Sequence, residues 1–428
     1  MERSLPERIA SRIDGSPTAF QCVERIAQIL SNHGSKEVSE QNLWDLKPGL
    51  YHVKRNDSSL IAFSLSEKKP ESIRIVAAHC DSPCFKLKEA PEIEKEGYYI
   101  SLNTEKYGGI NIHTWLDRPL SIAGRVIAAD SKGKLRSVTV DLKDDTLIIP
   151  SLAIHYAPEL NDGARFDLQK DMLPLFACKA EDGSKDSVND RIRKDYLSDD
   201  EEIVGSDLYL YNKEKAILWG TDRELISAPR IDDLACVYTS LEGFLDAEKD
   251  ENKLRILAVF DNEEIGSRTK QGAGSAFLPD VLRRIKGYYG FSEEELQVVL
   301  SKSLLVSADN AQAVHPNHGE LSDPVNRPLL NHGIVLKLQA EQKYATDGYS
   351  AAVARIIARK KEIPVQVLTN RSDLKGGSTL GCIVDLTTSI PTIDLGMPQL
   401  AMHSAYETSG TGDLESMVRF ISAFYEYS

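Results

Sequence analysis

The sequence predicts an α/β protein: a mixed central sheet flanked by helices and interrupted by an inserted β-rich domain. Three observations predict it. Apolar runs of strand length alternate with helically spaced apolar residues near both ends of the chain. Between them, residues 97–156 change to short alternating runs separated by turns. Ionisable residues arrive repeatedly where an apolar run stops, which is where α/β sheets gather their ligands. The 428 residues suffice for two or three domains with a large core, and the expected division is 1–85 with 229–428 as one domain and 86–228 as the insertion.

The elements follow in order. Ser16-Pro17 reads as a helix start, and Phe20, Val23, Ile26, Ala27 and Leu30 recur at helical spacing until Gly34. Residues 72–78 form a mostly apolar strand that runs into His79-Cys80-Asp81-Ser82-Pro83. Val138-Thr139-Val140-Asp141-Leu142, with Ser131-Lys132-Gly133 before it and Lys143-Asp144-Asp145 after it, is hairpin-like. Residues 181–202 are almost wholly polar and are expected to be an exposed or mobile loop. Beyond Ala228 a helix is marked by Leu234, Val237, Tyr238, Leu241 and Leu245, and strands are expected over 254–260, 304–307, 365–368 and 392–395. Gly376-Gly377-Ser378-Thr379 opens a further helix, whose first N–H groups are candidates for lining a pocket.

A net charge of −14 argues against nucleic acid or an anionic membrane as a partner. The six cysteines are scattered, which fits reduced thiols rather than a disulfide framework. No signal-peptide core and no membrane-length apolar run is visible, so a cytoplasmic location is expected.

Chemistry concentrates at the strand ends. Asp261-Asn262-Glu263-Glu264-Ile265-Gly266 is either a solvated turn or the acidic edge of a metal hydrolase, in which one glutamate binds the metal and its neighbour moves a proton. His79 and Asp81 form a His-x-Asp, readable as a ligand with an orienting carboxylate or as a buried structural histidine. Asp232-Asp233 opens the helix after Pro229-Arg230 and alone reads equally as a cap. Asp309-Asn310 and His403-Ser404 each follow a strand. Together His79, Asp232, Glu264, Asp309 and His403 offer two imidazoles and three carboxylates, enough for two ions about 3.5–4 Å apart. Nitrogen and oxygen donors without thiolate suit Zn(II), with Co(II) or Mn(II) as substitutes.

The segments AAHCDSPCFKLK, YGGINIHTWLDRPLSIAGRV, IPSLAIHY, SAPRIDDL, FDNEEIGSRTKQGAGSAFL, SADNAQAVHPNH, QKYATDGYS, GGSTLG and LGMPQLAMHSAYET resemble those of the aspartyl aminopeptidase family of dinuclear zinc exopeptidases, in the family's order across nearly the whole chain. The resemblance implies a zinc-exopeptidase-like fold with the insertion serving dimerisation. It implies two zinc ions per subunit, with His79, Glu264, Asp309 and His403 as terminal ligands and Asp232 as the bridge. Asp232 is chosen over Asp233 because Arg230-Ile231-Asp232-Asp233-Leu234 stands where the family has Arg-x-Asp-Asn-Leu. Glu263 matches the general base and Asp81 the carboxylate behind the ligands, the order within the glutamate pair being a matter of register.

His155 matches a histidine that reaches a neighbouring subunit's site, or else is a buried hairpin histidine. Lys337, seven residues before Tyr344, matches a partner for an acidic substrate side chain, or else is a surface lysine ending its strand. Gly377 and Ser378 are implied to line the substrate pocket. Peptides are the implied substrates, cut after an N-terminal Asp or Glu; a neutral or apolar preference and a non-catalytic assembly role are the alternatives. The implied assembly is a dimer-based tetrahedral dodecamer. Asp233 in place of asparagine and Leu374-Lys375-Gly376 before the pocket loop depart from the family pattern. His315 and His318 read as structural, because Pro316 disfavours a helix there.

Overall fold

The computed structural model describes residues 3–143, 146–180 and 186–428. The turn at Asp144-Asp145 and the first part of the polar stretch, 181–185, lie outside the described residues. The chain divides into two compact units. The first comprises 1–81, 216–402 and 407–428; the second comprises 82–215 and 403–406.

The first unit is built on a nine-stranded sheet. Its middle consists of Lys253–Phe260, Ser72–His79, Leu304–Ala308 and Thr392–Gly396, side by side and parallel. Ser59–Leu65 joins one flank antiparallel and Ile334–Lys337 the other, so the sheet is mixed. Ser72–His79 and Lys253–Phe260 are buried at every position, which is why they read as mostly apolar runs rather than as strict alternations, with Arg74 and Arg255 buried among the apolar residues. The period of two is visible instead in which face each residue serves. Leu60, Ala62, Val76, Ala78, Leu257 and Val259 pack on the helices Ala19–Asn32, Ile231–Asp246 and Thr411–Glu426. Ile61, Phe63, Ile75, Ala77, Ile256 and Ala258 pack on the helices Phe277–Tyr289 and Leu380–Thr388. Each of the Leu, Val, Ile and Phe side chains among them, once fully buried, contributes on the order of 1.5–3 kcal/mol.

A second, five-stranded sheet belongs to the same unit and pairs Leu225–Ala228 with Glu407–Gly410. Strands Ile217–Trp219 and Leu225–Ala228, assigned to the insertion from sequence, therefore pack with the first unit, because their partner strand lies near the chain's other end.

The second unit holds a six-stranded antiparallel sheet in the order Leu135–Asp141, Leu120–Ala129, Glu202–Asn212, Cys84–Lys95, Tyr99–Tyr107, Leu175–Cys178. Phe85, Leu102, Trp115, Ile122, Val126 and Leu210 are among its core residues. Gly124 (φ +148°) brings its strand so close to the neighbour that a Cβ would meet the Asp207 carbonyl at 2.0 Å.

The expected loop over 181–202 is corrected. Within it Val188–Tyr196 is a helix. Ser187 caps it by accepting the N–H of Asp190 at 3.1 Å, and Asp190 reaches back to the Ser187 N–H at 3.0 Å. Val188 and Ile192, one turn apart, are buried, and Tyr196 one turn further packs on the same core, which docks the helix. Among the described residues no helix is long and apolar enough to cross a membrane.

Candidate metal centre

The register of the parallel strands decides where the polar segments meet. His79 pairs with Phe260, so residues 79–81 and 261–264 leave the sheet at the same edge. Leu304–Ala308 lies on the other side of Ser72–His79 and delivers Asp309 there too. The helix Ile231–Asp246 approaches this edge with its first turn distorted: Arg230 is left-handed (φ 60°) and the Asp232–Asp233 peptide is cis. Asn262 is also left-handed (φ 65°), a conformation asparagine tolerates better than most residues.

Ligand atoms of His79, Asp232, Asp233 and Asp309 lie within 4.8 Å of one another, and those of His79, Glu263 and Glu264 form a second such group. The first four residues are all buried, and the two glutamates are half-buried. His79 Nδ1 is 3.1 Å from the Asp81 carbonyl and Nε2 is 3.5 Å from Asp232 Oδ1. Asp81 accepts the N–H of Glu263 on one oxygen and that of Glu264 on the other, each at 3.1 Å. Its carboxylate thus fixes the backbone of both glutamates.

Behind the centre lies a chain of buried polar residues, of which sequence reasoning did not single out Glu407 and Gln399. Asp232 N–H donates to Glu407 at 2.9 Å, Glu407 meets Gln399 at 3.3 Å, and Gln399 accepts from Asn310 at 2.9 Å. Asn310 also donates to the Ile231 carbonyl at 2.8 Å, which closes the ring beneath the distorted helix start. Their signal in the sequence is slight: Glu407 is one of several alternating polar residues, and only its strand pairing buries it.

So many carboxylates in one dry place raise one another's proton affinity. Burial pushes the Glu263 carboxyl up to about 8, with Asp309, Asp81 and Asp232 adding to the effect against the opposing His79. Burial likewise holds Asp233 well above the carboxylate range, reinforced by Asp309 and Asp232. For His79 burial acts downward, but Asp232 and Asp81 outweigh it and raise the imidazole well above its ordinary value. A cation held by these atoms would relieve the same repulsion, so the donor set fits a divalent metal. It offers imidazole nitrogen and carboxylate oxygen, as zinc accepts. Cys236 lies close by yet is a thiol that donates to Asn310 at 3.1 Å, and burial raises its pKa well above the usual range.

Lys337 is buried, 3% exposed, with Nζ 3.0 Å from Asp309 Oδ1 and 5.6 Å from the centre of the Tyr344 ring. The reading of a surface lysine is thereby removed. Burial acts to lower its pKa, and Asp309 more than reverses that, so it carries its charge. Gly377 and Ser378 are exposed, just before the helix Leu380–Thr388.

In the second unit His155 sits exposed in a turn at 154–156, which removes the buried-hairpin alternative for it. His403 (φ +66°) belongs to the segment 403–406, and its Nδ1 lies 2.9 Å from the Gly109 carbonyl. That contact puts the ring proton on Nδ1 and makes Nε2 the basic nitrogen. His315 and His318 are exposed, with His318 3.3 Å from Glu320.

Comparison with known proteins finds relatives along nearly the whole chain. A probable M18 family aminopeptidase 2 of Clostridium acetobutylicum is 41% identical over 429 residues, covering 99% of each chain. Among solved structures, the chain is similar to one in the complex of Ape4 with Nbr1 (TM-score 0.93, 34% identity, 99% of this chain and 85% of that one). It is also similar to the S. cerevisiae mApe1 dodecamer structure (TM-score 0.85, 26% identity, 98% and 96%). The sequence profile of the aminopeptidase I zinc metalloproteases matches residues 12–425. With that match across nearly its full length and buried metal-ligand groups at the sheet edge, the chain belongs to the aminopeptidase I zinc metalloprotease (M18) family and is a metallo-aminopeptidase.

Proposed function

We propose that this aminopeptidase releases an N-terminal Asp or Glu from peptides, with two zinc ions per subunit held by His79, Asp232, Glu264, Asp309 and His403, and Asp232 as the bridge. The observation that carries the reading is the meeting of possible ligand atoms of His79, Asp232, Asp309, Glu263 and Glu264 at one sheet edge, where Asp81 accepts the N–H groups of both glutamates. Glu264 then serves as a ligand and Glu263 as the base. When bound, the metal pair supplies Lewis acidity, lowering the pKa of a water and polarising the scissile carbonyl. Glu263 takes the proton of the attacking water and returns it to the leaving amine nitrogen. Asp81 and the Asp81 carbonyl orient Glu263 and His79. Co(II) or Mn(II) are substitutes compatible with the same donors.

Tyr344, Gly377 and Ser378 form the substrate pocket in this reading, and Lys337 meets the acidic side chain. One observation favours a second specificity. Lys337 is already paired with Asp309, and a lysine so held offers less charge to a substrate carboxylate, which favours a neutral or apolar first residue. Assembly is proposed by analogy with the dodecameric S. cerevisiae relative: the second unit, 82–215, forms a dimer contact, and His155 acts in a neighbouring subunit's site.

Hydrolysis of aminoacyl fluorogenic substrates bearing Asp, Glu, Leu, Lys or Ala tests this on zinc-loaded protein beside Glu263→Gln. The variant is expected to lose about 10²–10⁴ in kcat, with metal content unchanged. Preference for Asp and Glu supports the first specificity and preference for Leu or Ala the second. Cleavage of none by the loaded wild type sinks the peptidase reading.

A further inference from the structure

Asp394 is a buried carboxylate to which nothing above assigns a task. It lies in the middle of the strand Thr392–Gly396 and is 0% exposed. Its two oxygens face two different loops. Oδ2 accepts the N–H of Ala345, the neighbour of Tyr344, and Oδ1 accepts the hydroxyl of Thr379 at 2.8 Å, the neighbour of Ser378. The backbone repeats the connection: Asp394 N–H donates to Thr346 Oγ1 at 2.8 Å, and Thr379 N–H donates to the Lys343 carbonyl at 3.2 Å. Gly381, in the first turn of the helix Leu380–Thr388, lets that helix descend on the carboxylate, since a Cβ there would lie 2.7 Å from Asp394 Oδ1. Lys337 supplies the nearby positive charge.

The choice of residue is informative. A buried carboxylate is costly unless its oxygens are used. Holding one loop requires only a hydroxyl or an amide. Holding two loops that both present donors requires an acceptor on each side, and only a carboxylate offers that; an amide turns a donor towards one of them.

We propose that Asp394 is a positioning residue for peptide hydrolysis, clamping the 343–346 loop to the 376–379 loop and so setting the pocket that receives the substrate's N-terminal side chain. This rests on the reading of Tyr344, Gly377 and Ser378 as substrate-binding. Loosening the clamp weakens substrate binding while leaving the metal ligands and Glu263 in place, so the effect falls on KM rather than on kcat.

The test uses zinc-loaded, assembled protein carrying Asp394→Asn, Thr379→Val or Thr379→Ser, with kcat, KM, zinc content and melting temperature measured for each. Asp394→Asn and Thr379→Val are expected to raise KM about tenfold or more with kcat within about threefold and zinc content unchanged. Thr379→Ser, which restores the hydroxyl, is expected to recover KM. If Asp394→Asn fails to fold, Thr379→Val decides. A lowered melting temperature with KM as in the wild type marks a merely structural role and overturns the proposal, as does zinc loss in step with activity. An inactive wild type overturns the peptidase reading itself, a result distinct from an active wild type whose KM ignores both changes.

Discussion

Asp81 and Asp413 show how burial and hydrogen bonding set what a single carboxylate does. Asp81 accepts two backbone N–H groups and so holds Glu263 and Glu264 in place. Asp413, in the first turn of Thr411–Glu426, also accepts two, from Asn331 at 2.7 Å and Gly333 at 2.8 Å. There burial outweighs those bonds and the nearby His332, and the carboxyl is pushed up from 3.8 to about 7. The folded state therefore holds this proton more tightly than the unfolded chain. Its contribution to stability is fully present below about pH 4 and is lost as pH rises through about 7. Asp413→Asn removes that dependence, so its melting temperature is expected to gain on the wild type between pH 4 and 8. A difference that stays constant with pH refutes the assignment. Several site residues were legible one by one, since His79, Asp81, Glu263, Glu264 and Asp309 each follow a buried run. Glu407, Gln399 and Asp394 were not, because what makes them special is a partner tens of residues or more than a hundred away.

Elements were read best where their period is strong. The strand Val365–Leu368 has the expected bounds, and the helix read from Phe20 to Leu30 is Ala19–Asn32. The short helix Val188–Tyr196 was missed because its apolar face has only two buried residues and its main signal is a capping box. Close packing between elements makes a sharper demand. Where Ile231–Asp246 crosses Thr411–Glu426, Gly243 leaves so little room that a Cβ would lie 2.7 Å from Ile421. Alanine is the better helix former by about 1 kcal/mol, but overpacking of this kind costs about 1–3 kcal/mol. Gly243→Ala is therefore expected to lower the urea midpoint, and an unchanged or higher midpoint would show that the helices separate freely.

For the molecule as a whole, the second unit exposes a group of apolar residues around His155: Leu152 at 59%, Ile154 at 45% and Tyr156 at 85%. Contiguous apolar side chains on a surface mark contact sites, and a closed symmetric assembly is the usual way to cover them. Light scattering is expected to give a mass several times that of one chain, reduced by Tyr156→Glu together with activity; a monomeric wild type would remove the assembly proposal. Sequence alone determined the class of the fold, the order of its main elements and most of the ionisable groups at the strand ends, because burial patterns of period 2 and 3.6 and the residues that end them are local properties. Tertiary structure decided which of those groups meet, that Lys337 pairs with Asp309, and that strands Ile217–Trp219 and Leu225–Ala228 belong with the first unit. These outcomes depend on strand register and on pairings between distant segments, and neither is written in any short stretch of chain.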